Sequence, residues 1–214
     1  MTAFGSIDRL EGTEGLLASI DHSPIATVIT DARLPDNPIV AVNRGFCELT
    51  GYEREEIVGR NCRFLAGPET EPAARTTLRQ AVADGRPALV ELTNYRKDGS
   101  KFLNAVMIAP VMGEDGTVAY FLGSQMDVGA GSGFSVPRRQ RAEALVRKLT
   151  PRQLQVLEHM IAGYRNKQIA GFLDIDEKTV KMHRASLLAR LAVGSSAEAI
   201  RIGVEAGVEL GDGM

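Results

Sequence analysis

Gly59-Arg60-Asn61-Cys62-Arg63-Phe64-Leu65-Ala66-Gly67-Pro68-Glu69-Thr70 is the stretch on which the reading of this chain turns. It sets a thiol between an amide and a guanidinium and follows it with two apolar side chains. A free cysteine is most often a buried structural residue. Hydrolytic cysteine chemistry needs a base, and the neighbouring sequence offers none. Cys62 is therefore a candidate for chemistry only if the rest of the chain supplies a ligand for it. The other cysteine, Cys47, reads as core. Two cysteines in a chain of 214 residues without an export-like N-terminus point to free thiols. The three scattered histidines have no metal-site spacing.

Around this stretch the sequence divides in two. Residues 1–133 carry 12 basic and 18 acidic residues, a net −6, whereas residues 134–206 carry 13 and 7, a net +6. An acidic front and a basic back fit two domains, the second with nucleic acid as partner. Residues 129–137, Gly-Ala-Gly-Ser-Gly-Phe-Ser-Val-Pro, read as a linker without regular structure. No apolar run approaches the roughly 18 residues needed to cross a bilayer, and the first residues lack the basic and apolar segments of a signal peptide. A cytoplasmic chain without membrane or metal partner is expected.

In the first half, Ala26–Thr30 and Ile39–Val42 are short β-branched runs joined by the turn-rich Leu34-Pro-Asp-Asn-Pro38. Short helical pieces are expected at 46–51 and 53–57, and a longer helix over 70–84. Three strand-like runs follow at 88–96, 101–109 and 118–127, separated by Asp98-Gly99 and Glu114-Asp115-Gly116, as in an antiparallel meander. This pattern predicts an α+β domain whose five-stranded antiparallel sheet carries its helices on one face.

The segment 59–70, together with Val28-Ile-Thr-Asp31, Leu92-Thr-Asn-Tyr95, Phe102-Leu-Asn104 and Tyr120-Phe-Leu-Gly-Ser-Gln125, resembles LOV domains, the light-oxygen-voltage branch of the PAS family, over residues 15–128. The resemblance implies a blue-light sensor that binds flavin mononucleotide (FMN). In that family light drives reversible addition of the cysteine sulfur, here Cys62, to flavin ring carbon C4a. It further implies that Asn94, Asn104 and Gln125 bind the pyrimidine edge, with Gln125 near N5. Asn61 would touch the ring, Thr30, Asn37 and Leu65 would line the pocket, and Arg63 and Arg79 would hold the phosphate. The residue chemistry agrees: a planar heterocycle suits an apolar pocket with a few placed amides, and a guanidinium fork suits phosphate oxygens. Ala66 departs from the glutamine of many plant members and leaves some ring contacts and the dark-recovery rate open.

The second half turns helical. Helices are expected over 140–149, from Thr150-Pro151 to about Gly163, over 166–173, from the cap Asp176 to about Leu191, and from Ser195-Ser196 to about Gly207. Leu-Thr-Pro-Arg-Gln-Leu-Gln-Val-Leu157, Asn166-Lys-Gln-Ile-Ala170 and Glu177-Lys-Thr-Val-Lys-Met-His-Arg184 resemble the LuxR-type helix-turn-helix over 149–207, with 129–148 as linker and connecting helix. Gly171-Phe172 and Asp176 depart from the usual residues. With Val180 and Leu187 turned to the core, Lys178, Thr179, Lys181, Met182 and Arg184 remain for the major groove or its phosphates. Ala197, Ile200 and Val204 form an apolar stripe for dimerisation or interdomain contact.

Joined, the two resemblances imply a light-regulated transcription factor, not an enzyme. In such regulators the sensor sheet covers the fourth helix as a monomer in the dark, and light releases it to dimerise on double-stranded DNA. The alternative is a flavin redox or ligand sensor that regulates transcription without cysteine photochemistry. A flavoenzyme is the third possibility, but no catalytic acid/base pair is visible.

Overall fold

The computed structural model describes residues 20, 23–129 and 136–209. The first residues of the expected sensor segment (15–19, 21 and 22) and most of the Gly/Ser stretch (130–135) lie outside them. Five strands, β1 (Ala26–Asp31), β2 (Ile39–Val42), β3 (Ala88–Tyr95), β4 (Lys101–Met112) and β5 (Val118–Asp127), form one antiparallel sheet in the order β2-β1-β5-β4-β3. Strand β4 runs three residues past the expected end at Ala109. Pro110 argues against a strand in sequence, yet it pairs opposite Phe121.

Between β2 and β3 lie α1 (Arg44–Thr50), α2 (Arg54–Ile57), a 3-10 turn at Cys62–Leu65 and α3 (Pro72–Asp84). Asn43 anchors this segment. Its Oδ1 accepts from the Phe46 amide to cap α1 and from the Thr27 amide of β1, while its Nδ2 donates to the carbonyls of Ile20, Ser23 and Ile25. The helix is thereby tied to the sheet it covers.

After the sheet come α4 (Val136–Val146), α5 (Pro151–Ile161), α6 (Asn166–Leu173), α7 (Glu177–Leu191) and α8 (Ser196–Glu205). The architecture is the expected α+β unit followed by a small all-α unit. One boundary is corrected: Val136 and Pro137 already belong to α4 rather than to a linker, as a proline tolerates the first helical turn. The local start signals hold. Thr150 and Gln153 form a reciprocal capping box, and Asp176 Oδ1 accepts from the Thr179 amide. Gly171, one of the departures noted in the sequence, lies within α6. The neighbouring Phe172 stacks on His159 (5.2 Å between ring centres, 16° between planes) and meets Tyr164 edge-on.

The sheet is buried on both sides. Alternation with period two sends Phe121, Gly123 and Gln125 of β5 toward α1–α3 and Tyr120, Leu122 and Ser124 toward the helical unit. The second face shares a single core with that unit, in which Ile29, Met107, Ala109, Tyr120 and Leu122 pack with Val156, Leu157, Ile161, Ile169, Val180 and Leu187. Hairpin β4–β5 adds polar contacts: the Met112 amide donates to the Gly163 carbonyl (2.9 Å), Arg165 Nε to the Met112 carbonyl (3.0 Å) and Gln168 Nε2 to the Gly113 carbonyl (3.0 Å). Gly163 has a positive φ of 89°, and a Cβ there would stand 2.4 Å from the Pro110 oxygen, so this docking site accepts no other residue without a shift.

His159 is buried, its Nδ1 has no hydrogen-bond partner, and burial holds its pKa below the ordinary value. A depressed histidine contributes stability above the unfolded pKa of about 6.5, and the contribution is lost as pH falls through the lower folded-state value. Thermal unfolding measured from pH 7 down to pH 5 should show a steeper loss of Tm for the native chain than for His159→Phe; parallel curves would contradict this role.

Candidate functional site

A cavity of about 560 Å3 lies between the front face of the sheet and α3 with the Cys62 turn. Its size and mixed lining fit a small heterocyclic ligand. Val28 and Thr30 of β1, Leu92 and Asn94 of β3, Val106 and Ile108 of β4, and Phe121, Gly123 and Gln125 of β5 make the sheet wall. Asn37, Asn61, Cys62, Arg63, Leu65 and Arg79 make the opposite wall. Nine of the ten expected site residues thus line one cavity. The tenth, Asn104, lies fully buried behind them.

Asn104 organises the amide row. Its Nδ2 donates to Asn94 Oδ1 and to Gln125 Oε1, each at 2.9 Å, and its Oδ1 accepts from the Met126 amide. The Asn94 amide reaches across to the Leu65 carbonyl (3.2 Å) and so ties β3 to the Cys62 turn. Three strands therefore present linked amides at one depth, because each of these residues points to the same face of its strand.

The Cys62 turn is pinned from its start. Asn61 Oδ1 caps it by accepting from the Arg63 amide, and Asn61 Nδ2 donates to the Asp36 carbonyl. Asp36 and Asn37 both take left-handed backbone, with φ of 69° and 48°. Short polar side chains tolerate this conformation where most residues do not, which accounts for Asp-Asn in the turn between β1 and β2. The amide of Asn61 is thus spent on holding the loop, while Asn37 Oδ1 is left buried without a partner.

Thr30 Oγ1 is likewise buried and unpartnered. Two orphaned oxygens on one cavity are costly unless a ligand meets them. Their position, beside a row of amides and apolar side chains, fits a flat heterocycle with polar edge atoms. Arg63, Arg75 and Arg79 also line the cavity, with Arg63 paired to Asp36. Arg75 was not singled out from sequence. The signal was present: Arg75, Leu78, Arg79 and Val82 lie at i, i+3, i+4 and i+7 on α3 and all face the cavity. Three guanidinium groups suit a terminal phosphate.

Enclosure by protein pushes the Cys62 thiol up to about 12. At neutral pH the group is S–H, not a thiolate. Ground-state nucleophilic or redox cysteines need the opposite shift.

In the helical unit the expected DNA-facing residues divide. Lys178 and Met182 are exposed, Met182 at 60%. Lys181 pairs with Glu177 across one turn, a solvent-exposed contact that yields easily. Thr179 is half-buried with its hydroxyl on Asp176. Arg184 is corrected: it turns inward, donating to Asn166 Oδ1 (2.6 Å) and Ser196 Oγ (2.8 Å), and so braces α7 against α6 and α8. The stripe on α8 is also not open in this arrangement. Ala197 and Ile200 are buried and Val204 is half-buried in the shared core.

Residues 24–130 match the family model described as PAS domain, and residues 147–202 the one described as bacterial regulatory proteins, luxR family. Blue-light-activated histidine kinase 1 of Erythrobacter litoralis is 50% identical over 120 residues, covering 56% of this chain and 33% of that protein. A blue-light-activated histidine kinase of Rhizobium johnstonii is 47% identical over 125 residues, covering 58% and 35%. The chain thus spans about a third of the length of these curated relatives. Among solved structures, the dark structure of the blue-light photoreceptor Aureochrome1 LOV is 44% identical with a TM-score of 0.50, covering 54% of this chain and 83% of that one.

The raised Cys62 pKa has a direct consequence. Alkylation by iodoacetamide at pH 8 in the dark, followed by mass spectrometry, should modify Cys62 more slowly than a free thiol of ordinary pKa, by roughly tenfold or more once the greater nucleophilicity of a high-pKa thiolate is counted. A rate near that of a free thiol would show that the cavity does not hold the sulfur protonated.

Proposed function

Because the chain belongs to the PAS-domain family and carries a LuxR-family regulatory segment behind that domain, we propose that it is a blue-light-regulated DNA-binding transcription factor. The observation that carries this reading is a two-sided sheet: strands β4 and β5 present Asn104 and Gln125 on the Cys62 side and, from the adjacent residues Ala105 and Ser124, bond α8 of the helix-turn-helix on the other. A change in the hydrogen bonds on one face is then felt where the output domain docks.

Flavin mononucleotide is the ligand whose shape and charge the cavity fits. When bound, the flavin supplies a blue-light-excited ring with an electrophilic carbon, C4a, and a basic nitrogen, N5. Cys62 contributes both sulfur and proton, since its thiol stays protonated across the physiological range. Asn94, Asn104 and Gln125 orient the polar edge, Thr30 and Asn37 offer their unpartnered oxygens, and Leu65, Val28, Val106 and Phe121 exclude water. Arg63, Arg75 and Arg79 hold the phosphate end. Gln125 would be the amide to adjust to the polar edge of a bound ring, because its oxygen is already held by Asn104 and its Nε2 is the atom left to meet the ligand.

On the output side, Lys178, Lys181 and Met182 face the major groove, Thr179 and Arg184 hold the recognition helix in place, and Ala197, Ile200 and Val204 of α8 become a dimer surface once the sheet releases them. The dark form is a monomer and the lit form a homodimer on double-stranded DNA, in the cytoplasm. The alternative is a flavin redox or ligand sensor that regulates transcription without cysteine photochemistry.

An absorption spectrum of the purified chain should show a structured band in the blue that bleaches under blue light and recovers in darkness, and a colourless folded protein would refute flavin binding. Binding to DNA fragments, measured by gel shift, should be tighter in light than in darkness by about tenfold or more, in line with a coupling free energy of a few kcal/mol. Cys62→Ala should keep the colour and lose both the bleaching and the light-dependent difference. Equal affinity of the native chain in both states would remove the light switch, and a full light response in Cys62→Ala would favour the redox reading.

A further inference from the structure

Arg201 of α8 is a cation at 2% exposure, placed where the two halves of the chain meet. Its Nη1 donates to the Ala105 carbonyl of β4 (3.2 Å), to Ser124 Oγ of β5 (3.0 Å) and, at 3.5 Å, to the Ser124 carbonyl. Its Nε donates to Glu205 Oε1 (2.9 Å), one turn along the same helix, and that carboxylate is itself only 10% exposed. Its Nη2 is buried with no partner. Burial lowers the Arg201 pKa despite Glu205, and the positive charge of Arg138 on α4 pushes the same way.

The strand positions are specific. Ala105 follows Asn104 and Ser124 precedes Gln125, so the guanidinium grips the two strands directly behind the amides of the cavity. It reads β4 and β5 together, and any relative shift of the two strands changes its acceptor set.

We infer that the buried Arg201–Glu205 pair is the interdomain latch: Arg201 meets Ala105 and Ser124 where α8 docks, and the balance of the two buried charges decides whether that docking holds. The inference deepens the light-switch reading and rests on it. The physical basis is an asymmetry. Removing one partner of a buried pair leaves an uncompensated charge and is strongly destabilising, whereas replacing both by apolar groups of similar size is often neutral or stabilising. On release, both side chains regain water, and each charge is solvated at little cost. A purely apolar contact in this place would bind α8 without such a relief.

The test uses the full chain in darkness, with small-angle X-ray scattering measured on the monomer peak from a sizing column. The native protein gives a compact profile. Arg201→Met leaves Glu205 buried and alone and is expected to shift the chain to an extended, undocked profile, with the open population raised on the order of a hundredfold. Arg201→Met combined with Glu205→Leu is expected to return the compact profile. A residue that merely fills space would not be rescued by a change at its charge partner. Compact profiles for both variants would show that Arg201 latches nothing; extended profiles for both would show that charge burial does not govern docking. Far-UV circular dichroism of each variant checks that the chain is folded. Because no arm needs light or DNA, failure of the latch is distinguishable from failure of the light switch, which appears as equal DNA binding of the native chain in dark and light.

Discussion

From Ala119 to Gln125 every residue of β5 is buried, because the strand is covered on both faces. A strand can be buried in this way only if each successive side chain finds a different partner layer. Here Phe121, Gly123 and Gln125 belong to the cavity and Tyr120, Leu122 and Ser124 to the core shared with the helices. The rest of the molecule follows from that double use. The helical unit cannot leave without uncovering an apolar sheet face, and the cavity cannot change its hydrogen bonds without acting on a strand that the helices hold. Sensor and output are joined by packing rather than by a tether alone.

The two faces differ in their electrostatics, and the difference matches their roles. The cavity sets three guanidinium groups among apolar side chains and amides, so it favours a flat ligand with an anionic tail. The opposite face admits an ion pair into an otherwise apolar contact, a device better suited to a contact that must open than to one that must only be strong. Hairpin β4–β5 adds backbone bonds to the turn before α6, so docking has a rigid edge at Gly163 and Arg165 and a polar latch at Arg201.

Much of this was legible in the sequence where the signal is local. The Thr150–Gln153 capping box, the Asp176 cap and the limits of the helix at Asn166–Leu173 depend on residues a few positions apart, and they stand as read. The cavity lining was legible because Cys62 sits in a dense run of polar and apolar residues and because Asn94, Asn104 and Gln125 fall on three successive strands. Long-range pairings were not legible. Arg201 and Ser124 lie 77 positions apart, and nothing near either announces the other. Arg184 looked free because a helix wheel shows its direction but not the Asn166 and Ser196 side chains that receive it. Ala197 and Ile200 read as an apolar stripe, and they are one, but periodicity does not say what covers it. Arg75 is different: its helical spacing from Arg79 was visible, and only the cavity shows what the spacing is for.

The central claim is that excitation at the Cys62 cavity releases the helical unit from the back of the sheet. Resonance energy transfer between one dye on α2 and one on α7, with labelled chains diluted into unlabelled ones so that only distances within a chain are read, addresses it directly. The account predicts high transfer in darkness, a drop under blue light that tracks the bleaching of the absorption band, and recovery of both together. Transfer that stays unchanged while the band bleaches and recovers would contradict it.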